Sequence, residues 1–186
     1  MKNLQISDEE LVIKTISDST FFAELISRYE GKLGAYLKRF GFEGKDIEDF
    51  LQEIFISVYK NLNAFDPKLK FSSWIYRIAH NYAVSVYRKK KILTFELTEN
   101  LAQDLRDESD LVQELDKKVI KELVAKAISK MDYKYREILV LRYFEDKDYE
   151  EISDILKKPS GTVATLINRA KKQFKEKYNE LNIGII

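Results

Sequence analysis

One segment of the sequence, residues 71–91, combines aromatic and basic side chains in a way that suits contact with nucleic acid. It reads FSSWIYRIAHNYAVSVYRKKK. Aromatic rings can stack on unpaired bases while Lys and Arg follow the phosphate backbone, so the segment predicts contact with single-stranded or locally opened DNA. The structural alternative is that Trp74 and Tyr82 are core residues and that the terminal lysines meet the negative end of a helix dipole.

A second candidate lies near the C-terminus. A short apolar helix is expected up to Leu156, a break follows at Pro159, and a second helix is expected from Thr162 to about Tyr178. This layout predicts a helix-turn-helix, whose second helix fits the major groove and places side chains against base edges. A helical hairpin with a solvated basic face is the structural alternative, and an ordinary repressor has the same layout.

Composition argues against other function classes. The 186 residues include no Cys and one His, so we predict no disulfide, no metal site and no cofactor. Neighbouring carboxylates such as Glu9 and Glu10 point about 100° apart on a helix, which is not acid–base geometry, so we predict no enzymatic activity. No apolar run approaches the ~20 residues of a membrane span, and the N-terminus lacks a signal-peptide core, so a cytoplasmic protein is expected.

We predict that the segments carrying these residues are helical. Only six Gly and two Pro interrupt the chain, which favours long helices. Gly41 is expected to end one helix, and Ser72 or Ser73 to cap the start of another. Apolar residues recur at the helical period over three long stretches. These stretches are residues 21–40, 47–62 and 111–128.

Charge divides the chain into three parts. Residues 1–92 and 119–186 each carry a net charge of +3, and residues 93–118 between them carry −5. The acidic part loses helical periodicity over most of its length. We therefore predict an all-α fold with two small helical domains joined by an acidic flexible linker, the C-terminal domain being a helix-turn-helix.

Four stretches, in this order, resemble the extracytoplasmic-function (ECF) sigma factors, the minimal two-domain class of bacterial transcription initiation factor. They are DIEDFLQEIFISVYKNLNAF (46–65), FSSWIYRIAHN (71–81), MDYKYREILVLRYFEDKDYEEISDIL (131–156) and GTVATLINRAKK (161–172). The ordered combination is far more specific than any one motif.

The resemblance implies a protein that directs core RNA polymerase to specific promoters and initiates DNA melting, without chemistry of its own. Its implied partners are the beta and beta-prime subunits of the polymerase, promoter DNA and an anti-sigma factor, with no insertion into a membrane. Residues 1–92 would dock on the polymerase and recognise the minus-10 element. The linker, 93–118, would pass through the polymerase channels, and residues 119–186 would recognise the minus-35 element.

The resemblance also implies roles for individual residues. Polymerase docking is implied for Asp49, Gln52 and Glu53. Recognition of the opened minus-10 strand, including capture of a flipped base, is implied for Asn63, Phe65, Asp66, Lys68, Tyr76, Arg77, His80, Asn81 and Arg88. Recognition of the minus-35 duplex is implied for Ser160, Thr162, Val163, Ala164, Thr165, Asn168, Arg169 and Lys172.

One departure from the family pattern concerns the minus-35 segment. Ala164 and Leu166 stand where the family often has cations. Losing about two phosphate or base contacts weakens binding and flattens its salt dependence. Two alternatives therefore stay open: a stand-alone helix-turn-helix regulator, and a polymerase-binding adaptor with weakened DNA reading.

Overall fold

The computed structural model describes residues 6–93 and 113–182, and within these ranges it contains helices and turns but no strand. The eight α-helices are α1 (Asp8–Ser17), α2 (Phe22–Phe40), α3 (Lys45–Asn61), α4 (Phe71–Leu93), α5 (Gln113–Ser129), α6 (Tyr133–Tyr143), α7 (Tyr149–Leu156) and α8 (Ser160–Asn182). Short 3-10 turns at Ser19–Phe21 and Leu62–Ala64 connect α1 to α2 and follow α3. The all-α prediction is confirmed.

The N-terminal unit, α1 to α4, is built around the apolar stripe of α2. Leu25, Tyr29, Leu33 and Tyr36 of this stripe are buried, and α2 packs against α3 and α4. The helix ends where the sequence predicts, because Gly41 adopts the left-handed conformation with φ 105°. This conformation favours glycine, and the Gly41 N–H closes the helix end on carbonyl oxygens of the last turn.

The first helix is an element that the periodicity analysis does not predict. Ser7 and Glu10 form a reciprocal capping box at its N-terminus. The Glu9 carboxylate accepts a hydrogen bond from the Phe71 N–H at 2.9 Å and so serves the N-terminus of α4. The predicted cap at Ser72 or Ser73 is wrong, because both residues lie inside the first turn of α4 and Ser73 is buried.

The C-terminal unit, α5 to α8, contains the predicted helix-turn-helix. Asp148 and Glu151 form a capping box at the start of α7, and Lys157 ends the helix in the left-handed conformation. Helix α8 begins at Ser160 and packs against α5, α6 and α7. Helix α5 begins at Gln113, inside the range predicted as linker, where apolar periodicity has resumed. Residues 94–112 of that predicted linker lie outside the described residues.

The two units pack against each other through α2 and α4 on one side and α6 and α7 on the other. The Tyr133 ring contacts both Phe40 and Tyr87, with ring centroids 5.0 Å and 4.8 Å apart. Arg136 donates to the Phe40 carbonyl at 3.2 Å, and burial lowers the pKa of its guanidinium. One hydrophobic cluster therefore extends through both units.

Candidate nucleic-acid interface

The face of α4 that the sequence assigns to DNA meets acidic side chains of the C-terminal unit. Arg77 donates to Asp154 of α7 at 3.1 Å, and the His80 imidazole contacts the Glu137 carboxylate of α6. These are half-buried or buried groups rather than solvated ones. The opposite charges that a DNA backbone would supply are thus already provided within the chain.

Tyr76, a predicted minus-10 residue, lies in this interface with 2% of its surface exposed. Its hydroxyl donates to Glu145, and Arg39 donates to the other oxygen of that carboxylate at 2.9 Å. Burial first, and the hydrogen bond to Glu145 second, raise the pKa of Tyr76 far above the ordinary value of a tyrosine. The Lys147 ammonium lies over the ring, 4.9 Å from its centroid. Glu145 therefore covers the hydroxyl of Tyr76, and Lys147 covers its ring.

Two predicted minus-10 residues of α4 remain accessible. Asn81 and Arg88 are exposed. Arg88 lies close enough to Tyr133 of α6 to oppose the rise in the pKa of that phenol, which is caused mainly by burial and the Glu137 charge. Fewer of the predicted minus-10 residues of α4 are exposed to solvent than the sequence indicates.

The loop between α3 and α4 separates its residues into two groups. Phe65 is buried and packs edge-on against Phe71 and at a tilt against Trp74, with both centroid distances 5.4 Å. Asn63, Asp66 and Lys68 are exposed, and the Asp66 carboxylate accepts the Lys68 N–H at 3.0 Å. The polar residues of the loop are therefore accessible to solvent, whereas Phe65 belongs to the core.

The exposed face of α3 carries the predicted docking residues. Asp49, Gln52 and Glu53 are exposed. On the opposite face Ile54, Phe55 and Val58 are buried, as the spacing predicts. The structure brings the three residues predicted to dock together on one surface of the helix.

An apolar residue joins this polar surface. Ile56 is 46% exposed and follows Gln52 and Glu53 by one helical turn. Neither the apolar spacing nor the family resemblance assigns a role to Ile56. The spacing of Ile56 from Gln52 and Glu53 could have identified this residue, because the spacing places an isoleucine on the polar face, outside the buried stripe.

Helix α8 presents most of the residues predicted to read the minus-35 duplex to solvent. Val163 and Ala164 are the exceptions, and Val163 is 0% exposed and packs in the core with Ile167 and Ala170. Ala164 is half-buried, and the Thr165 hydroxyl donates back to the Gly161 carbonyl at 3.0 Å. The exposed members of the predicted set are Ser160, Thr162, Thr165, Asn168, Arg169 and Lys172. An exposed basic helix following a tight turn is suited to the major groove.

Other site types are not found in the part of the chain that the structure describes. No group of three or more His, Asp or Glu side chains there could hold a metal ion. None of its helices combines the length and apolar character of a membrane span.

Two family models match the chain, each on one helical unit. The model for Sigma-70 region 2 matches residues 25–92, and the model for Sigma-70 region 4 matches residues 121–174. The first range covers nearly all of α2 to α4, and the second covers most of α5 to α8. Fold and sequence together define a sigma factor of the two-unit class.

Curated relatives show which sigma factors these are. The ECF RNA polymerase sigma factor SigW of Bacillus subtilis is 35% identical over 172 residues, covering 88% of this chain and 92% of the relative. The ECF RNA polymerase sigma-E factor of Haemophilus influenzae is 30% identical over 186 residues, covering 95% and 98%. The chain belongs to the ECF RNA polymerase sigma factor family.

Solved structures agree with this fold. CnrH in complex with the cytosolic domain of CnrY has a TM-score of 0.68 at 22% identity, covering 91% of this chain and 95% of that one. The sigma factor RpoE in complex with the anti-sigma factor NepR from Bartonella quintana has a TM-score of 0.68 at 18% identity, covering 85% and 96%. At these identities the likeness is one of fold.

Proposed function

We propose that this protein binds core RNA polymerase, directs it to specific promoters and initiates melting of the DNA. The observation that carries this proposal is the presence of both sigma regions, in order, on a chain that shares 35% identity with SigW over nearly the whole length of both. The protein supplies binding surfaces and no catalytic group, since polymerase performs the chemistry. Its place of action is then the cytoplasm, where bacterial polymerase works.

The division of labour follows the two units. Residues 1–92 dock on the polymerase and hold the minus-10 element, and residues 119–186 hold the minus-35 element. Of the acidic part, 93–118, the residues between α4 and α5 connect the two units through the polymerase channels. The basic charge of the outer parts and the acidic charge of the middle part support this division. An acidic segment suits a channel lined by cations for nucleic acid.

Docking on the polymerase uses the exposed face of α3. Asp49, Gln52 and Glu53 present two carboxylates and an amide, which suit a basic helical surface on the polymerase such as the coiled coil of its largest subunit. Ile56 adds an apolar contact to this face. Burial in a protein–protein contact would remove the Ile56 side chain from water.

Strand opening uses α4 and the loop that precedes it. Asn63, Asp66 and Lys68 line the exposed side of the loop, and Arg77 and Asn81 lie on α4. Extruding a base from the duplex costs a few kcal/mol, which polar and aromatic contacts to the flipped base must offset. Cations on α4 then retain the separated strand through its phosphates.

Duplex recognition uses the exposed face of α8. Arg169 and Asn168 have the donor and acceptor patterns that pair with guanine and adenine in the major groove. Ala164 and Leu166 add no cation, so base reading depends on fewer contacts than the family often has. Lys172 and the lysines that follow it contribute phosphate contacts.

Transcription by the reconstituted holoenzyme tests the proposed function. Purified core polymerase is mixed with the chain and a promoter library, and run-off transcripts are sequenced. We expect a defined set of promoters with two conserved elements. A stand-alone helix-turn-helix regulator would bind duplex DNA without polymerase and give no transcripts. A polymerase-binding adaptor would co-purify with the polymerase yet select no promoter sequence.

The family also gives a setting for regulation. The structures of CnrH and RpoE described above are complexes with CnrY and with the anti-sigma factor NepR. We propose an anti-sigma partner for this chain on that basis. Co-purification of the tagged chain from its own host, without core polymerase, is the observation that would identify such a partner.

A further inference from the structure

Tyr82 of α4 lies beside the face of α3 that carries the docking residues Asp49, Gln52 and Glu53. Its ring packs edge-on against Phe50 of α3, with ring centroids 5.4 Å apart. Phe50 directly follows Asp49 and precedes Glu53 by three residues, so both carboxylates flank the contact between the two rings. Tyr82 is half-buried, and part of it is therefore open to solvent. A residue of α4 thus adjoins the docking face of α3.

The two carboxylates also act on the Tyr82 hydroxyl through their charge. Burial first, and then the charges of Glu53 and Asp49, raise the pKa of Tyr82 above the ordinary value of a tyrosine. The hydroxyl therefore stays protonated at neutral pH. A protonated phenol can donate to a carboxylate and at the same time accept a hydrogen bond from a cation.

A row of aromatic residues that begins in the core holds the ring of Tyr82 in place. Phe42 stacks on Phe40 with centroids 5.7 Å apart, and it packs edge-on against Phe50 with centroids 4.9 Å apart. Phe40 and Phe42 are buried, and Tyr82 is the half-buried end of the row. A tyrosine ring fixed in this way loses little conformational freedom when a partner binds, which is one reason why tyrosine is enriched in protein interfaces.

The chemistry of this corner selects a cationic partner group. Asp49 and Glu53 are one helical turn apart, so they repel each other and attract a cation together. An arginine guanidinium has several N–H groups in a rigid fork, and it can bind a carboxylate with some of them and a phenol oxygen with another. A lysine ammonium is a point charge and fixes no such geometry.

We propose that Tyr82 is a further docking residue, whose hydroxyl oxygen accepts a hydrogen bond from the polymerase guanidinium that pairs with Glu53. The docking surface then spans two helices. Polymerase bound in this way also holds α4, the helix assigned to the opened strand, against α3. The proposal rests on the assignment of the α3 face to polymerase docking made above.

Binding of the full chain to core polymerase in the absence of DNA tests this role. Tyr82→Phe keeps the ring contact with Phe50 and removes the hydroxyl, and we expect it to weaken core affinity about fivefold. The matched control is Tyr87→Phe, which removes the hydroxyl from another half-buried ring of α4, one that stacks on Tyr133. The control should stay within about twofold of wild type. Equal core affinity of Tyr82→Phe and wild type, or an equal loss in the control, would overturn the proposal.

A double-mutant cycle separates a shared contact from a general loss of structure. Glu53→Gln alone is expected to weaken core binding about tenfold. In that background Tyr82→Phe should add less than about twofold, because the guanidinium that both residues bind is no longer held. The same fivefold loss in both backgrounds would mean that Tyr82 and Glu53 share no partner group, contrary to the proposal.

A measurement on the free chain checks the position of the hydroxyl independently of polymerase. A fluorinated tyrosine is incorporated at position 82 alone, and its ionisation is followed by fluorine NMR. Asp49→Asn with Glu53→Gln should lower the pKa of this phenol, because the charges that oppose its ionisation are removed. An unchanged pKa would separate the hydroxyl from both carboxylates and overturn the proposal.

The docking assignment and the role of Tyr82 fail in different ways. If Asp49→Lys with Glu53→Lys leaves core affinity unchanged, the assignment of the α3 face is wrong, and the role of Tyr82 is wrong with it. If that variant loses core binding while Tyr82→Phe retains the affinity of wild type, the role of Tyr82 alone is wrong.

Discussion

Two helices of this sigma factor, α4 and α8, carry the cationic faces assigned to DNA, and their surroundings differ sharply. On α8, Asn168, Arg169 and Lys172 are exposed. On α4, Arg77 and His80 contact carboxylates of the other unit. A cationic helix that is solvated and one that is ion-paired look alike in sequence, because the carboxylate partners of Arg77 and His80 lie 77 and 57 residues away along the chain.

The difference has a physical consequence for how each helix meets DNA. Lysines on α8 release counterions from DNA and give a binding step that weakens steeply with salt. In binding DNA, Arg77 would exchange the carboxylate of Asp154 for a phosphate. Salt screens both of these ion pairs, so their salt dependences partly cancel. We therefore expect the salt dependence of promoter binding to come mainly from α8.

The first prediction removes the polymerase that brings both helices to the promoter. Asp49→Lys with Glu53→Lys places two cations against a basic surface, and such like-charge contacts cost several kcal/mol. Affinity for core polymerase should fall by about 100-fold or more, measured by titration with labelled core. The control is Glu150→Lys with Glu176→Lys, which has the same charge change on the C-terminal unit. Unchanged affinity of the α3 variant would contradict its role in docking.

The second prediction separates α4 from α8. Arg77→Ala with Asn81→Ala should leave core binding intact and reduce promoter melting by about tenfold or more, because a few kcal/mol of base extrusion is no longer offset. Permanganate reactivity of unpaired thymines reports the melting. Binding of the closed duplex, measured on the same promoter, is the internal control. Normal thymine reactivity in this variant would show that α4 does not hold the opened strand.

The third prediction concerns α8 and divides its contacts into two kinds. Arg169→Ala should relax the base preference at one minus-35 position, worth about 1–3 kcal/mol. Lys175→Ala should weaken binding of all sequences evenly and lower the salt slope by about one. Holoenzyme binding to a set of single-base promoter variants over a salt series distinguishes the two. If Arg169→Ala changes no base preference, recognition of the minus-35 element lies elsewhere.

The fourth prediction has the smallest expected effect and concerns α7, the helix that packs against both α4 and α8. The Asp148 side chain accepts from the Glu151 N–H at 2.8 Å, so Asp148→Ala should lower the free energy of unfolding by about 1 kcal/mol. This bond, more than any other contact, lowers the pKa of Asp148. Its contribution is therefore complete above the ordinary pKa of about 4 and is lost as the pH falls through the lowered value. Urea unfolding of wild type and variant at neutral pH and near pH 3 should show the difference shrinking in acid.

The sequence predicts those parts of the fold that depend on local pattern. The buried stripe of α2, its end at Gly41 and the turn between α7 and α8 follow from apolar spacing and from residues suited to helix ends. The exposed docking face of α3 follows because residues 49, 52 and 53 lie opposite its buried stripe. In each case the cause lies within about one helical turn of the residue.

The remainder depends on contacts between distant residues. The Glu9 carboxylate accepts the Phe71 N–H at the start of α4, and Glu145 accepts the Tyr76 hydroxyl. Neither the cap of α4 nor the burial of Tyr76 can therefore be predicted from neighbouring residues in the sequence. The family motifs place Val163 and Phe65 among the residues that face DNA, yet their apolar side chains lie in the core. At both positions the apolar character of the side chain predicts its burial better than the family motif does.

The most direct test places a photo-crosslinking residue at Asn81 in one sample and at Arg169 in another, both in holoenzyme on a selected promoter. We expect position 81 to crosslink to the minus-10 region of one strand and only in the presence of polymerase, and position 169 to crosslink to the minus-35 duplex. Crosslinking of both positions to the same duplex region, or equal crosslinking without polymerase, would contradict the assignment of strand opening to α4 and of duplex reading to α8.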